Sequence, residues 1–441
     1  MKDLKRRDFL EISAIAAAGA MLWGCSGGSG KTEKIAPITF LDQAPEGTEI
    51  KAGLIGCGGR GTGAALNFLD AGPGLTIHAM GDVFEDRLED CLGKLKKEKG
   101  AEVPQERCFT GFDAFQKVID SGVDYIILAT PPHFRPEHFA AAVDAKKHIF
   151  TEKPLAVDPV GIRKIIAASK RAESLGLCVG TGTQRRHQRD YVETYRQIAN
   201  GAIGDIVSAN CYWNQSMLWY KTPKPEWSDM EYMIRDWVNW NWLSGDHIVE
   251  QHIHNIDVIN WFTGEHPTKA VGFGSRHRRL TGDQYDSFSI DFNYGEGIHV
   301  HSMCRQIDGC VNNVSEFVRG TKGYSNCRNT IWNSDGSIAW QYEYPKDESG
   351  KSTGVVKVSP YVQEHIDLVT AIRTNNPYVE AEQTAYSNLA AIMGRMSAYT
   401  GKAVTWDEAM NSDMQIGPTE YKLGKVNIAA NIPVPGAAKE S

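Results

Sequence analysis

The residues of this chain best suited to chemistry begin with a run of glycines. Lys51-Ala52-Gly53-Leu54-Ile55 reads as a short apolar strand that runs directly into Gly56-Cys57-Gly58-Gly59-Arg60-Gly61, and a helical pattern follows. Glycines at 56, 58 and 61 permit a tight turn and close backbone approach to a pyrophosphate. The helix N-terminus behind them offers unpaired N–H groups and a partial positive charge. Asp82 closes the second strand 21 residues after Gly61, the spacing at which an acid reaches the ribose hydroxyls of an adenosine. A carboxylate there repels a 2′-phosphate, and Val83-Phe84-Glu85 supplies no cation in its place. The pattern therefore favours NAD over NADP, although Arg60 sits in the loop where it can approach either phosphate.

Two further groups carry ionisable side chains. Thr151-Glu152-Lys153-Pro154 falls at the carboxyl end of the fifth strand, where ligands sit in parallel sheets. A lysine there can donate to a reacting hydroxyl or to a developing alkoxide; it can equally be a surface lysine paired with Glu152. Farther on, His247, Glu250, His254 and Asp257 recur at spacings of 3, 4 and 3, within about 80° of one face of a helix expected near 248–262. His252 falls on the opposite side. Four ionisable groups on one stripe are costly to bury unpaired. They suit acid–base chemistry, with His254 taking a proton and a carboxylate orienting it. They also suit a divalent metal face, or a polar network at a helix start capped by Gly245-Asp246. Trp213, Trp219, Tyr220, Trp227, Trp237, Trp240 and Trp242 crowd the same region; flat rings fit sugar faces, and fit cores and subunit interfaces equally well.

The elements that must position these residues follow from periodicity. Strands at 50–55, 75–80, 107–110, 124–129, 148–151 and 177–180 alternate with helices at 61–69, 84–99, 112–121, 135–145 and 159–174. Six strands alternating with five helices in this way imply a parallel, doubly wound sheet. After Gln184 a helix at 189–199 leads into amphipathic strands at 205–213, 269–277, 285–294, 297–305 and 314–320, the pattern of a half-buried antiparallel sheet. Helices return at 362–374 and 382–400. The expected domains are 49–182 and 183–410, with an extension at 411–441.

The N-terminus reads as an address. Lys5-Arg6-Arg7-Asp8-Phe9-Leu10 is a twin-arginine pattern, followed by an alanine-rich stretch too short to span a membrane. Leu22-Trp23-Gly24-Cys25 resembles a lipobox, in which Cys25 becomes the lipidated first residue; an uncleaved anchor, or cleavage without lipid, are the alternatives. Residues 26–48, rich in small and polar side chains, read as a tether. These features predict an exported or periplasmic protein whose membrane contact is through that lipid. The chain has 441 residues and a formal net charge of −7, which argues against nucleic acid and acidic membrane surfaces as partners. Nine cysteines show no CxxC pair and no metal-like spacing; free buried thiols are the default, although a few could pair in an oxidising compartment.

Taken together, the glycine loop with Asp82, Ala129-Thr130-Pro131-Pro132 with His138, Glu152-Lys153-Pro154, Gln184-Arg185-Arg186 and Glu250-x-x-x-His254-x-x-Asp257 resemble the Gfo/Idh/MocA oxidoreductases, from about Ile50 to Trp406. The resemblance implies an α/β protein: an N-terminal Rossmann domain with a doubly wound parallel sheet, then a C-terminal α/β domain with an open, mostly antiparallel sheet. That sheet often packs on its copy in a neighbouring subunit, which implies a homo-dimer or tetramer. The resemblance also implies that Thr130, Pro131, His138, Glu152, Lys153 and Gln184 join Gly56, Gly58, Gly59, Arg60, Gly61 and Asp82 in holding the cofactor, with the nicotinamide near Lys153 and His254. The family usually has Asp where this chain has Glu250. The Thr-His-Gly segment of the related NAD-dependent glycosidases is missing.

The expected chemistry is oxidation or reduction of a secondary hydroxyl on a sugar, glycoside or cyclitol. His254 acts as base, Lys153 stabilises the oxygen, Glu250 holds His254, and Asp257 supports it from the next turn. An exported protein meets little free NAD, so a tightly held, recycled cofactor is expected. Redox-neutral glycoside cleavage and a non-catalytic sugar-binding lipoprotein are the alternative classes.

Overall fold

The computed structural model describes residues 34–428 and 431–436; the export segment and Cys25 lie outside the described residues. Six strands open the fold: β1 (Ile50–Ile55), β2 (Leu75–Asp82), β3 (Cys108–Thr110), β4 (Tyr125–Leu128), β5 (His148–Thr151) and β6 (Val179–Thr181). They pair in the order β3-β2-β1-β4-β5-β6, parallel throughout. The helices between them are α1 (Gly59–Asp70), α2 (Glu85–Lys99), α3 (Ala114–Ile119), α4 (Arg135–Asp144) and α5 (Pro159–Ser174). Side chains alternate along a strand. Leu54 therefore packs with Phe68 of α1 and Leu88 of α2, while Ile55 joins Phe139 of α4 and Ile162 of α5. Burial on both faces explains the near-continuous apolar strands. The strand order reverses between β1 and β4, which opens a crevice at their carboxyl ends.

The second domain begins with α6 (Arg189–Ala199) and β7 (Ile206–Gln215). Four short helices follow: α7 (Asp229–Arg235), α8 (Asn241–Ser244), α9 (His247–Glu250) and α10 (Ile253–Thr263). Then come β8 (Lys269–Ser275), β9 (Ser287–Asn293), β10 (His299–Gln306), β11 (Asn313–Gly320), β12 (Gly323–Ser325), β13 (Thr330–Asn333) and β14 (Ile338–Gln341). The chain closes with α11 (Pro360–Arg373), α12 (Ala381–Thr400), β15 (Val404–Thr405) and α13 (Trp406–Met410). The sheet order is β14-β13-β12-β11-β7-β10-β9-β8-β15. Only β7 and β10 run parallel, so the expected mostly antiparallel sheet is present. Phe288, Ile290 and Phe292 of β9 face the helices and are buried. Val207, Val271, Phe273, Val314 and Ile338 are exposed.

Several elements differ from the sequence reading. The helix expected near 248–262 is two. The N–H of His252 reaches back five residues to the His247 carbonyl (3.1 Å), a bulge that shifts the downstream helix face. The strands β12–β14 are only three or four residues long, too short to show a period. The apolar face of helix α11 packs on the first domain, where Ile366, Leu368 and Val369 join Phe68, Tyr125 and Phe150. The stretch read as a tether is held down from Ile35 onward. The Ile35 N–H donates to Asn200 Oδ1 (2.8 Å), Arg189 pairs with Asp42 (2.8 Å) and the Ala44 N–H donates to the Ala71 carbonyl (2.7 Å). Among the described residues no helix is long and apolar enough to cross a membrane, and the described cysteines are free thiols.

Helix α12 joins the two domains. Asn388 Oδ1 accepts the N–H groups of Leu155 (2.8 Å) and Ala156 (3.0 Å) in the first domain. The buried Arg395 guanidinium donates to the Val157 carbonyl (2.8 Å) on that side, and to the Gly245 carbonyl (2.8 Å) and Asn241 Oδ1 (3.0 Å) on the other. Removing it leaves two buried carbonyls and the partly buried Asn241 Oδ1 unpaired, so Arg395→Met is expected to cost about 3 kcal/mol of stability. The urea midpoint of the purified variant checks this.

Candidate active site

A cleft of about 700 Å3 lies along the carboxyl ends of the first sheet and is walled by the second domain. At its floor, β1 turns through Gly56 at φ +96° into α1. A Cβ on Gly56 would lie 2.7 Å from the Ala129 backbone, and one on Gly61 only 1.8 Å from the Gly56 carbonyl oxygen. Those two glycines let strand, loop and helix close together. At Gly58 and Gly59 a Cβ would meet nothing within 4 Å, although both line the cleft, so their space is open on the ligand side. Helix α1 starts there with no side-chain cap and no acidic residue in its first turn. Its free N–H groups and dipole remain available to an anion. A pyrophosphate fits this cradle.

Asp82 lies at the end of β2 and is fixed by backbone donors, accepting from the Cys57 N–H (2.7 Å) and the Phe84 N–H (3.0 Å). Burial pushes its carboxyl above the ordinary value, against those two hydrogen bonds. Arg60 does not approach it. Its guanidinium pairs with Glu152 and Glu364 and lies 4.8 Å over the Tyr361 ring. Burial weakens the Arg60 charge, but the two carboxyls more than offset this and raise its pKa. With Arg60 so engaged, the adenosine end keeps the acid that suits an unphosphorylated ribose. The Gln184 Oε1 is buried without a partner, while its Nε2 reaches Tyr361 (3.4 Å). An orphaned acceptor beside the cleft fits a ligand that donates a hydrogen bond.

Thr130, Pro131 and His138 line the cleft beyond β4, with His138 3.3 Å from Thr130 Oγ1 and stacked on Phe115 at 4.0 Å. Burial takes the His138 imidazole down to about 3, so it is neutral. Sequence reasoning missed Arg135. Its buried guanidinium donates to the carbonyls of Thr130 (2.8 Å), Glu152 (2.9 Å) and Pro154 (2.5 Å). It thereby caps the ends of two neighbouring strands and fixes the turn that carries Lys153.

Lys153 and His254 meet where the domains face each other, and both line the cleft. The Lys153 ammonium donates to the Glu250 backbone carbonyl (2.5 Å) and to its carboxylate (3.3 Å). An ammonium has three N–H groups, so one remains for a ligand. Glu250 thus holds Lys153, not His254, and its other carboxylate oxygen accepts from Gln251 Nε2 (2.5 Å). His254 stacks on Trp213 with centroids 5.6 Å apart. Burial, with Lys153, Arg185 and Arg60 nearby, holds its pKa well below the usual value. The imidazole is neutral at pH 7 and able to accept a proton.

The rest of the expected stripe does not converge. Asp257 lies away from the cleft, paired with Arg186 (2.8 and 2.9 Å) and bonded to Ser387 (2.7 Å). It does not support His254. His247 bonds Asp246 (3.0 Å), and His252 bonds Ser302 (2.7 Å) under the sheet. The backbone bulge at His252 is the reason, because it breaks the single helix on which the four would share a face. Among the described residues no group of three or more His, Cys, Asp or Glu gathers as a metal site would require.

The fold and cleft define a two-domain protein built around a dinucleotide-binding crevice. Comparison with known proteins agrees. Residues 50–181 match the oxidoreductase family with a NAD-binding Rossmann fold, and residues 191–325 match the GFO/IDH/MocA C-terminal domain. The chain belongs to the Gfo/Idh/MocA oxidoreductase family. It is 27% identical over 226 residues to a myo-inositol 2-dehydrogenase of Thermotoga maritima, an alignment covering 51% of this chain and 58% of that protein. It is 25% identical to a scyllo-inositol 2-dehydrogenase (NAD(+)) of Bacillus subtilis, over 51% of this chain and 57% of the relative. The chain thus spans less than two thirds of the length of these relatives. Scyllo-inositol dehydrogenase of Lactobacillus casei with bound NAD(H) and scyllo-inositol superposes with a TM-score of 0.60 at 21% identity, covering 81% and 99% of the two chains. Aldose-aldose oxidoreductase of Caulobacter crescentus superposes at 0.62 and 18% identity, over 81% and 99%. These two structures speak for the fold.

The glycines separate stability from binding. Gly61→Ala forces a clash inside the turn and is expected to lower both stability and NAD affinity. Gly59→Ala is expected to leave stability unchanged or raise it by up to ~1 kcal/mol, since alanine favours the helix, while weakening NAD binding by roughly tenfold or more through the Cβ in the pyrophosphate space. Thermal unfolding and calorimetric titration with NAD check both.

Proposed function

We propose that this chain oxidises or reduces a secondary hydroxyl of a neutral sugar, glycoside or cyclitol, using NAD. The observation that carries the reading is the meeting of Lys153 and neutral His254 at the domain seam, beside the glycine-loop cleft. Bound NAD supplies the hydride acceptor or donor. The residues supply the rest. His254 accepts the hydroxyl proton, and the remaining N–H of Lys153 hydrogen-bonds the oxygen and stabilises its charge as the bond order changes. Glu250, fixed by Gln251, keeps that N–H aimed at the cleft.

The electrostatics support a neutral substrate. Each cation near His254 already has a buried carboxyl partner: Lys153 has Glu250, Arg60 has Glu152 and Glu364, and Arg185 has Glu316 (2.6 Å). Among the described residues, the cations nearest His254 are thus already paired, and the cleft-lining Arg135 is spent on backbone carbonyls, which disfavours a sugar acid or phosphate there. The inositol dehydrogenases among the relatives act on neutral cyclitols, which agrees with this.

The twin-arginine and lipobox patterns support an exported protein that carries its NAD out of the cytoplasm already bound. Such a cofactor must be recycled in place, for example by a second sugar. The exposed apolar strand face, with Val271 and Phe273, suits packing against a second copy of the sheet.

Lys153→Met and His254→Ala are each expected to lower kcat by about 10²–10⁴-fold. The base must be unprotonated and its pKa is depressed. The wild-type rate is therefore expected to stay level as pH falls from 8 through about 6.5, and to drop only under more acidic conditions. A rate that halves near pH 6.5 in the substrate-saturated enzyme would count against His254 as the base. Release of aglycone from aryl glycosides without net NADH would instead move the chemistry to redox-neutral glycoside cleavage.

A further inference from the structure

Lys153 and His254 account for one end of the cleft. The opposite end, beside Asp82, is lined by side chains that the chemistry does not use. Arg235, the last residue of α7 in the second domain, crosses to the first and forks onto Asp86 of α2. Its Nη1 and Nη2 bond the two carboxylate oxygens at 2.9 and 3.0 Å. Its Nε is held by Glu231 (2.8 Å), and the guanidinium lies 4.0 Å over the Phe84 ring. Phe84 is also the residue whose N–H fixes Asp82.

The latch has a firm base. Phe84 and Phe134 of the first domain pack in one apolar cluster with Met230, Met233, Ile234 and Trp242 of the second, joined by Val426 from the C-terminal segment. That segment is bonded to α7, with the Met230 N–H donating to the Gly424 carbonyl (3.1 Å). Above the cleft, Asp236 accepts the Lys221 N–H (2.6 Å) and Asn239 donates to the Trp219 carbonyl (3.2 Å), so the strap through Trp219 and Lys221 is anchored beside Arg235. Trp219, Lys221, Arg235 and Trp237 line the same cleft as Asp82, Phe84, Arg87 and Phe112.

We infer that the second domain completes the adenosine compartment and that the Arg235–Asp86–Phe84 contact is a latch retaining the dinucleotide. With the compartment walled from both sides, the adenosine half leaves only when this contact opens. A single-contact surface pair contributes little; here Asp86 is exposed, but the fork is bidentate and the largely buried Arg235 is stacked on a ring, so the contact is geometrically fixed. Arg235 is a positioning residue here, acting on release rather than on the hydride step. The inference rests on the assignment of the cleft to NAD, and it accounts physically for a cofactor that stays bound.

The test is the release rate of radiolabelled NAD from the full-length loaded protein, chased with excess unlabelled NAD. Arg235→Ala and Asp86→Ala are each expected to speed release by roughly tenfold or more. The double variant should be no faster than the faster single one, because one contact is lost only once. Arg235→Lys, which keeps the charge and loses the fork, should fall between. The melting temperature of the nucleotide-free protein should stay close to wild type, which separates the latch from a general loss of packing. Release from Arg235→Ala within about twofold of wild type overturns the latch, whatever the wild-type rate. A wild type that releases NAD quickly contradicts in-place recycling and leaves the ratio to judge the latch. A wild type that does not bind NAD overturns both.

Discussion

The Lys153 ammonium rests on the backbone carbonyl and carboxylate of Glu250, and the site depends on that contact. Lys153 belongs to the first domain and Glu250 to the second, so the contact forms only when the domains hold one relation. Both side chains are about nine-tenths buried, where an unpaired charge is costly. Pairing therefore fixes the lysine as well as neutralising it. Helix α12 maintains the relation from behind, because Asn388 and Arg395 tie the strand-end turn after Lys153 to the start of the α9 region. Arg135 acts from within the first domain by gathering the carbonyls at the ends of β4 and β5.

Seen this way, the cleft has two ends with different tasks. At one, buried cations are matched with carboxyls and surround a neutral imidazole, an arrangement that handles a proton and a developing oxygen charge without attracting anions. At the other, Asp82 is oriented by backbone N–H groups of the glycine loop and of Phe84, and residues of the second domain line the same cleft. On the proposed reading, the same two domains set both the chemistry and the residence of the cofactor.

Much of this was legible in the sequence because it is local. The glycine loop, the acid 21 residues later and the alternation of strand and helix depend on short-range sterics and period, and the structure has them. Lys153 and His254, which line the cleft, were singled out by position and type. What was not legible depends on distant partners or on backbone irregularity. The His252 bulge breaks a helix that periodicity reads as continuous, which sends Asp257 to Arg186 and turns Glu250 toward Lys153. Arg135 looked like an ordinary helix-start residue, since its acceptors are carbonyls that no residue type announces. The packing of α11 on the first domain, the pinning of residues 35–48, and the latch at Arg235 are likewise set by tertiary contacts alone.

The central claim is direct transfer between a neutral polyol and NAD held in this cleft. It is tested most directly by giving the NAD-loaded protein sugars and cyclitols deuterated at their carbinol carbons, stopping after one turnover, and weighing the nicotinamide released on denaturation. The account predicts one deuterium on the nicotinamide ring from a neutral substrate, and none from the Lys153→Met protein loaded with the same cofactor. A nicotinamide that stays unlabelled with every such substrate, in protein shown to hold NAD, would contradict it.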